Sequence, residues 1–254
     1  MAVIAPVRRN APVMGSVASV HVYDDVSERL VDDVIARVFD ELDGIEAVFS
    51  TFRPDSEISR INAGSLHVLD ASREVVDVLD ACTYLEAISD GAFSSRTTAG
   101  SLDPAGFVKG WAVERASRLL ADSGLHQWYV SLGGDMQMGE APESVEGEPR
   151  GWKVGIADPR DSSRTVSGLL IQRGAVATSG TGERGRHLID PRTGTAADYW
   201  ASVTVVGPSL TWADAYATVA CVRGKDGLAW VHRFEGYSAV GVTHDGRIVT
   251  VDDV

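Results

Sequence analysis

A glycine-rich stretch at residues 177–194 holds the side chains best suited to chemistry in this chain. It combines hydroxyl residues, four glycines, arginines, His187 and an aspartate. Glycines let backbone amides approach a phosphate closely, and arginines bind phosphate oxygens in a bidentate fork. A histidine can move a proton near neutral pH. The stretch therefore predicts a nucleotide-phosphate or acyl-transfer loop, with a glycine-rich hairpin carrying solvated charges as the alternative.

A second pattern lies on a predicted helix near the end of the chain. Asp214 and Thr218 stand four residues apart, so a carboxylate and a hydroxyl share one helix face. Oxygen ligands of this kind suit Mg²⁺, which keeps coordination places for phosphates. Thr211 and Asp214 also match a capping box, in which the aspartate would cap the helix start. Spacing alone favours the cap over the ligand.

Two further side chains are candidates because of their neighbours. His187 is the one histidine set among glycines and arginines, whereas the other five are scattered without metal-ligand spacing. Lys109 stands at a glycine-bracketed helix start, where it could bind a phosphate. The sequence has no GxSxG, HExxH, Walker A or strand-linked GxGxxG motif. This excludes the α/β-hydrolase, zincin, P-loop and Rossmann interpretations.

Composition narrows the class of partner. The chain has 254 residues, 44% of them hydrophobic, and a formal net charge of −13. That charge argues against a nucleic-acid partner, which needs a basic surface, and against an anionic membrane. A phosphate-binding site in such an acidic chain needs a locally basic site or a divalent cation.

The remaining global features predict a cytoplasmic protein. Cys82 and Cys221 lie in apolar helical patterns without CxxC spacing, which predicts buried, inert thiols. The N-terminal residues lack a signal-peptide core, and no apolar run reaches membrane-spanning length. We therefore expect no membrane insertion.

Hydrophobic periodicity predicts the elements that position these residues. Helices are expected at about residues 27–49, 72–90, 111–120 and 211–222, and a short helix could begin at residue 56. Strands are expected at residues 16–23, 127–132, 152–157, 166–171 and 202–206, and a hairpin around 244–246 closes the chain. Residues 92–100 read as a polar loop, and 140–151 as an acidic surface loop and candidate disordered insertion. The pattern favours an α+β fold with mostly antiparallel sheets flanked by helices. We expect one domain over residues 1–254, or two interleaved subdomains.

Five motifs in a fixed order give the chain a family resemblance. They are Met14-Gly15-Ser16, residues 50–57 with Asn62, Asp103 with Lys109-Gly110, Thr178-Ser179-Gly180 with residues 187–191, and residues 213–218. Over roughly residues 14–251 the chain resembles the ApbE family, the FAD:protein FMN transferases. Phe52 stands where the family often has tyrosine, and Ser94 where an aspartate is frequent.

The resemblance implies an enzyme that binds FAD and Mg²⁺, transfers FMN to a threonine or serine hydroxyl of an acceptor protein, and releases AMP. It implies Mg²⁺ ligands at Asp214, Thr218 and the backbone carbonyl of Gly106, with His187 as a proton-transfer candidate. It also implies an FAD site, lined by Met14, Phe52, Ala92, Phe93, Ser94, Asp103, Lys109 and a backbone group near Ser202.

Two alternatives keep the same site. Water could replace the acceptor hydroxyl, giving a Mg²⁺-dependent FAD pyrophosphatase that yields FMN and AMP. The chain could also be a non-catalytic FAD-binding protein that stores or delivers the flavin. Covalent flavin attachment to an acceptor, and turnover in saturating Mg²⁺, distinguish the three.

Overall fold

The structure is a computed structural model that describes residues 6–142, 149–180 and 188–251. The strands in this part are β1 (Val7–Val13), β2 (Ser16–Val22), β3 (Trp128–Leu132), β4 (Asp135–Met138), β5 (Trp152–Asp158), β6 (Asp161–Ile171), β7 (Gly174–Gly180), β8 (Ser202–Gly207), β9 (Ser238–Val242) and β10 (Ile248–Val249). The helices are α1 (Glu28–Phe49), α2 (Glu57–Asn62), α3 (Arg73–Ile88), α4 (Ala105–Asp122), α5 (Leu210–Arg223) and α6 (Gly227–Val231).

Eight strands form one sheet in the order β1-β2-β3-β4-β7-β8-β9-β10, and β5 and β6 form a separate two-stranded sheet. Every strand pairing in these described ranges is antiparallel. The predicted α+β class with antiparallel sheets is therefore confirmed.

Two tight turns lie at one end of the large sheet. Met14 and Gly15 join β1 to β2, with φ of +51° and +67°, and Gly133 and Gly134 join β3 to β4, with φ of +58° and +92°. Two-residue hairpin loops of this hand need positive φ at both positions, which glycine adopts without strain. The end of β7 and the start of β8 reach the same end of the sheet.

The two faces of the large sheet are covered differently. One face packs against the helices, and Ala175 and Ala177 of β7 belong to that main core with residues from α1, α4 and α5. On the opposite face, Val176 joins a smaller apolar cluster with Trp152 and Ile171 of the β5–β6 sheet. We call the β5–β6 hairpin, residues 152–171, the arm.

Most of the predicted elements are present, but several differ in extent. Strands β1, β4 and β7 are absent from the predicted elements. The sequence of β1 contains Arg8, Arg9, Asn10 and Pro12, and that of β7 leads into the glycine-rich stretch. Polar residues and proline are tolerated on an edge strand, where they hide the alternating pattern. Helix α4 begins at Ala105, well before the predicted 111, and takes in two glycines that oppose helix propensity.

Three further predictions can be compared with the structure. Cys82 and Cys221 are both buried and free, as predicted. Within the described ranges no helix has both the length and the apolarity to cross a bilayer. Part of the predicted 140–151 loop, residues 143–148, lies outside the described residues, while Ala141 N donates to Gln172 O at 2.8 Å.

Candidate functional site

The candidate site is built where α4 crosses α5. The backbone N–H of Gly110 donates to Asp214 Oδ2 at 3.0 Å. A Cβ at position 110 would lie 2.6 Å from Leu210 O and 2.8 Å from Asp214 Cβ, so only glycine permits this approach. The crossing thus places a buried carboxylate directly against another helix.

Contacts one turn further along α4 show the relative direction of α4 and α5. Glu114 Oε2 accepts hydrogen bonds from Ser209 Oγ at 2.5 Å and from Thr211 N and Oγ1 at 3.0 and 2.7 Å. The start of α5 therefore faces Glu114, and the next turn of α5 faces Gly110. The two helices are antiparallel, so the first turn of α4 lies level with the turn of α5 that follows Asp214.

Lys109 joins two buried carboxylates at this crossing. Its Nζ lies 2.5 Å from Asp135 Oδ2 and 3.2 Å from Asp214 Oδ1. Burial opposes the charge on Lys109, but Asp214 and Asp135 outweigh it and raise the pKa of the ammonium. Burial also raises the pKa of the Asp214 carboxyl, with Lys109 opposing and Asp135 reinforcing the shift. One ammonium group does not balance the charge of two ionised carboxylates, so the cluster of Lys109, Asp135 and Asp214 could accommodate a further cation.

Asp135 enters the site through the glycine turn between β3 and β4. It is the first residue of β4, and its side chain is 1% exposed. Its Oδ1 accepts a hydrogen bond from Thr178 N at 2.8 Å, while Oδ2 meets Lys109. The carboxylate therefore ties the end of β7 to α4.

A group of hydroxyl oxygens borders the carboxylates. Thr218 Oγ1, one turn after Asp214, lies 3.0 Å from Ser179 Oγ on β7. The neighbouring strand β8 begins at Ser202, which is buried and stands opposite Gly180 in the β7–β8 register. Because side chains alternate along β7 and β8, Ser202 shares a sheet face with Gly180 and lies on the face opposite to Ser179.

The loop before α4 brings the second group of predicted residues to the crossing. Asp103 N donates to Ser95 O at 2.7 Å, and Asp103 Oδ1 accepts from Ala105 N at 3.2 Å. A Cβ on Gly106 would lie 3.4 Å from the Phe93 ring, which is 4% exposed and supports the first turn of α4. Ala92 is also buried, and Ser94 Oγ accepts from Arg96 N at 3.2 Å.

Met14 and Phe52 are placed by α1. Glu46 Oε2 accepts a hydrogen bond from Met14 N at 2.9 Å and so holds the first hairpin turn. Phe52 follows the end of α1 and is 96% exposed, with its backbone N–H donating to Ser50 Oγ. Met14 shares the sheet end with Asp135, whereas no contact within the described part of the chain links the Phe52 ring to the helix crossing.

Comparison with known proteins identifies the family. The model of the ApbE family matches residues 14–99 and 94–240. The chain belongs to the ApbE family.

Relatives and solved structures agree with the ApbE assignment. A protein named FAD:protein FMN transferase from Escherichia coli (strain K12) is 31% identical over 148 residues, 54% of this chain and 41% of that protein. One of the same name from Treponema pallidum (strain Nichols) is 25% identical over 93% of this chain and 84% of that protein. The chain thus matches less than half the length of the E. coli relative.

The fold likeness covers almost the whole chain. The flavin transferase ApbE from Vibrio cholerae has a TM-score of 0.78 at 22% identity, covering 97% of both chains. The ApbE protein from Thermotoga maritima gives a TM-score of 0.81 at 21% identity, again with 97% of both chains covered. At these identities the comparison concerns the ApbE fold.

Two predictions from the residues alone need correction or limitation. The capping-box interpretation of Thr211 and Asp214 is wrong, because α5 starts at Leu210 and Asp214 turns toward Gly110 and Lys109. The predicted loop at 177–194 is a strand up to Gly180, since β7 pairs with β8 there. His187 falls in residues 181–187, outside the described part of the chain, and its role stays a prediction.

Several residues that build this candidate site are not indicated by the sequence motifs. The sequence motifs include neither Asp135 nor Glu114. They also omit Gln137, whose Oε1 accepts a hydrogen bond from Leu210 N at 2.8 Å. The available signals were Gly133-Gly134, which marks a tight turn, and Gly110, an unfavourable residue inside a helix. Both mark close backbone approach, but neither says which carboxylate comes near.

Proposed function

We propose that the chain is a Mg²⁺-dependent FAD:protein FMN transferase. It would attach FMN through a phosphoester bond to a threonine or serine of an acceptor protein and release AMP. The observation that supports this most is the α4–α5 crossing, where Lys109, Asp135 and Asp214 lie together in a member of the ApbE family. Relatives bear the name of this activity, and the same oxygen-rich site could serve it here.

The donor set fits Mg²⁺. The proposed ligands are the Asp214 carboxylate, the Thr218 hydroxyl and the Gly106 carbonyl. The antiparallel pairing of α4 and α5 favours them, because Gly106 precedes Gly110 by one turn and Thr218 follows Asp214 by one turn. Among the described residues no group of three His, Cys, Asp or Glu side chains could hold a metal. A site with few protein oxygens is what Mg²⁺ uses when phosphates complete its coordination.

The FAD site is proposed around this centre. Lys109 would bind a phosphate oxygen, and Asp103, Ala92, Phe93 and Ser94 would form the wall before α4. Met14, Phe52 and the backbone near Ser202 would complete the site. The described contacts join the α4 loop, Lys109 and Asp214, which supports one continuous binding surface.

The proposed reaction exchanges one phosphorus–oxygen bond for another. The acceptor hydroxyl oxygen bonds to the FMN phosphorus, the bond to the bridging pyrophosphate oxygen breaks, and AMP leaves with that oxygen. When bound, Mg²⁺ would supply Lewis-acid stabilisation of the phosphate charge. Lys109 would orient the phosphate, and His187 would take the hydroxyl proton, a role worth ~10²–10⁴-fold in rate.

The test is incubation of the purified chain with FAD and Mg²⁺, with and without a peptide carrying an acceptor threonine. AMP release is followed together with the mass of the peptide. We expect a Mg²⁺-dependent mass gain that matches FMN. AMP and free FMN without an adduct would replace the transferase proposal by the pyrophosphatase. Tight FAD binding with neither product would replace it by the carrier.

A variant pair locates the chemistry. Asp214→Ala should lower transfer by about 10²-fold or more, since it removes the charged ligand from a preorganised site. FAD binding without Mg²⁺ should persist. Asp40→Asn, which changes an exposed carboxylate on α1, is the control and should behave as wild type. Undiminished transfer in Asp214→Ala would sink the proposed role of Asp214.

The acceptor and its location remain predictions from the sequence. The proposed partner is a protein that presents a threonine or serine hydroxyl to the α4–α5 site in the cytoplasm. Neither nucleic acid nor membrane insertion forms part of this proposal.

A further inference from the structure

Asn62 makes an unusual pair of contacts with one distant residue. Its Nδ2 donates to Leu102 O at 2.9 Å, and its Oδ1 accepts from Leu102 N at 2.8 Å. The side-chain amide thus binds both backbone groups of a residue that lies 40 positions away. A residue of a neighbouring antiparallel strand would exchange the same pair of bonds with its own N–H and C=O.

The backbone of Leu102 needs such a partner. Leu102 forms an isolated antiparallel bridge with Arg96, flanked by the bonds Asp103 N to Ser95 O, 2.7 Å, and Thr97 N to Ser101 O, 2.8 Å. In an antiparallel pair of this type the N–H and C=O of the bridged residue point away from the partner strand. Leu102 is 4% exposed, so leaving both groups unpaired would be costly.

The chain that follows Leu102 leads directly into the site. Asp103 is held on one side by Ser95 and on the other by Ala105, and α4 begins at Ala105. The first two turns of α4 carry Gly106 and Lys109. A clamp on Leu102 therefore sets where these turns stand against α5.

We propose that Asn62 is a positioning residue for the start of α4, acting through Leu102 on Gly106 and Lys109. This assignment deepens the proposed function and rests on it, because it concerns the same FAD and Mg²⁺ site. Asn62 itself is an exposed residue at the end of α2, so its bonds, rather than its burial, carry the effect.

Substitutions can separate the clamp from general stability. Asn62→Asp keeps the shape and an acceptor for Leu102 N, but turns a second acceptor toward Leu102 O. Asn62→Ala removes both bonds. Asn10 is the other asparagine of the chain and lies exposed on the edge strand β1, so Asn10→Asp is the matched control for the chemical change.

Four measurements are made on each full-length variant. Hydrogen exchange reports on the amides of residues 96–108, flavin fluorescence gives FAD affinity without Mg²⁺, and transfer assays give the half-saturating Mg²⁺ concentration. Thermal unfolding shows whether the whole fold is affected.

We expect both Asn62 variants to exchange faster within residues 96–108 only. FAD affinity should fall by about 10-fold, in line with the loss of one or two partly buried hydrogen bonds, and half-saturation should need more Mg²⁺. Asn10→Asp should match wild type. Unchanged FAD affinity and Mg²⁺ dependence, or faster exchange across the whole chain, would overturn the positioning role. Wild-type protein that binds no FAD would instead overturn the proposed function, and this assignment with it.

Discussion

Polar side chains are buried between the large sheet and the helices, whereas the arm packs on the opposite face of the sheet mainly through apolar side chains. Asp135, Gln137 and Asp214 are 1%, 9% and 2% exposed, and each bonds to a specific partner. Under the arm, Met138 and Trp152 are 1% and 7% exposed within a cluster of hydrophobic side chains. Buried polar groups must be matched atom by atom, while apolar burial depends mainly on area.

This difference separates two kinds of sensitivity. A change at the α4–α5 crossing should alter stability and the proposed activity together, because the same bonds hold the helices and aim the site. A change in the arm should alter stability alone, since its described contacts lie on the other face. Four variants test that contrast, and they are described in order of decreasing expected effect.

Gly110→Ala should have the largest effect. The new Cβ would lie 2.6 Å from Leu210 O and 2.8 Å from Asp214 Cβ, so the helices must separate. We expect a loss of roughly 1–3 kcal/mol in the free energy of unfolding, even after a helix-propensity gain of about 1 kcal/mol. Proposed transfer activity should fall as well, because Asp214 moves.

Gly44→Ala is the control for that variant. Gly44 lies in α1, and a Cβ there meets nothing within 4 Å. The same substitution should therefore stabilise the protein by roughly 0.5–1 kcal/mol. Chemical denaturation of both variants gives the two signs, and a stabilised Gly110→Ala would contradict the close-packed crossing.

Glu114→Gln should be the next largest. Burial opposes ionisation of Glu114, but hydrogen bonds from Ser209 and Thr211 outweigh it and lower the pKa of the carboxyl. A folded-state pKa below the unfolded one adds stability above the unfolded value of 4.5, and this is lost as pH falls through the folded pKa. We expect Glu114→Gln to cost about 1–3 kcal/mol at pH 7.

The pH dependence is the sharper part of that test. The difference in unfolding free energy between wild type and Glu114→Gln should shrink as the pH falls below 4.5, the ordinary value for the carboxyl. Glu235→Gln, at an exposed carboxylate, controls for the loss of a charge from the acidic chain. A constant difference from pH 7 down to pH 3 would show that the Glu114 carboxylate does not hold α5.

Trp152→Phe probes the arm. Trp152 Nε1 donates to Gly139 O at 3.0 Å, and the indole packs edge-on to Tyr23 and Tyr129. Loss of that buried bond should cost about 1–2 kcal/mol in the free energy of unfolding. FAD affinity should stay at the wild-type value, measured by flavin fluorescence. A clear loss of affinity would mean that the arm is coupled to the site.

The sequence could predict much of the fold but only part of the site. Periodicity located α1, α3 and α5, and alternation located β2 and β3, since these elements have one buried and one exposed face. The edge strand β1 escaped because Pro12 and its charged neighbours conceal the alternation. The hydrophobic pattern of a segment indicates which of its residues are buried in the core, and an edge strand such as β1 buries few residues.

The site shows the same limit more plainly. Asp214 and Thr218 were singled out by their spacing, yet spacing could not decide between a helix cap and a ligand. The decision depends on Gly110 and Lys109, which lie about a hundred residues earlier and meet Asp214 only after α4 and α5 pack. Asp135 likewise reaches Thr178 and the site only because β4 pairs with β7. Such long-range contacts are a property of the fold rather than of the motif.

Leu170→Ser should give the smallest effect of the four. Leu170 lies on β6, stands opposite Lys153 in the arm and is 46% exposed. A surface substitution of this kind should change the free energy of unfolding by no more than about 0.5 kcal/mol and leave FAD affinity unchanged. Denaturation at two protein concentrations completes the measurement. A larger, concentration-dependent loss would show that another copy covers this face in solution, and the contrast between a functional inner face and a merely structural arm would have to be redrawn.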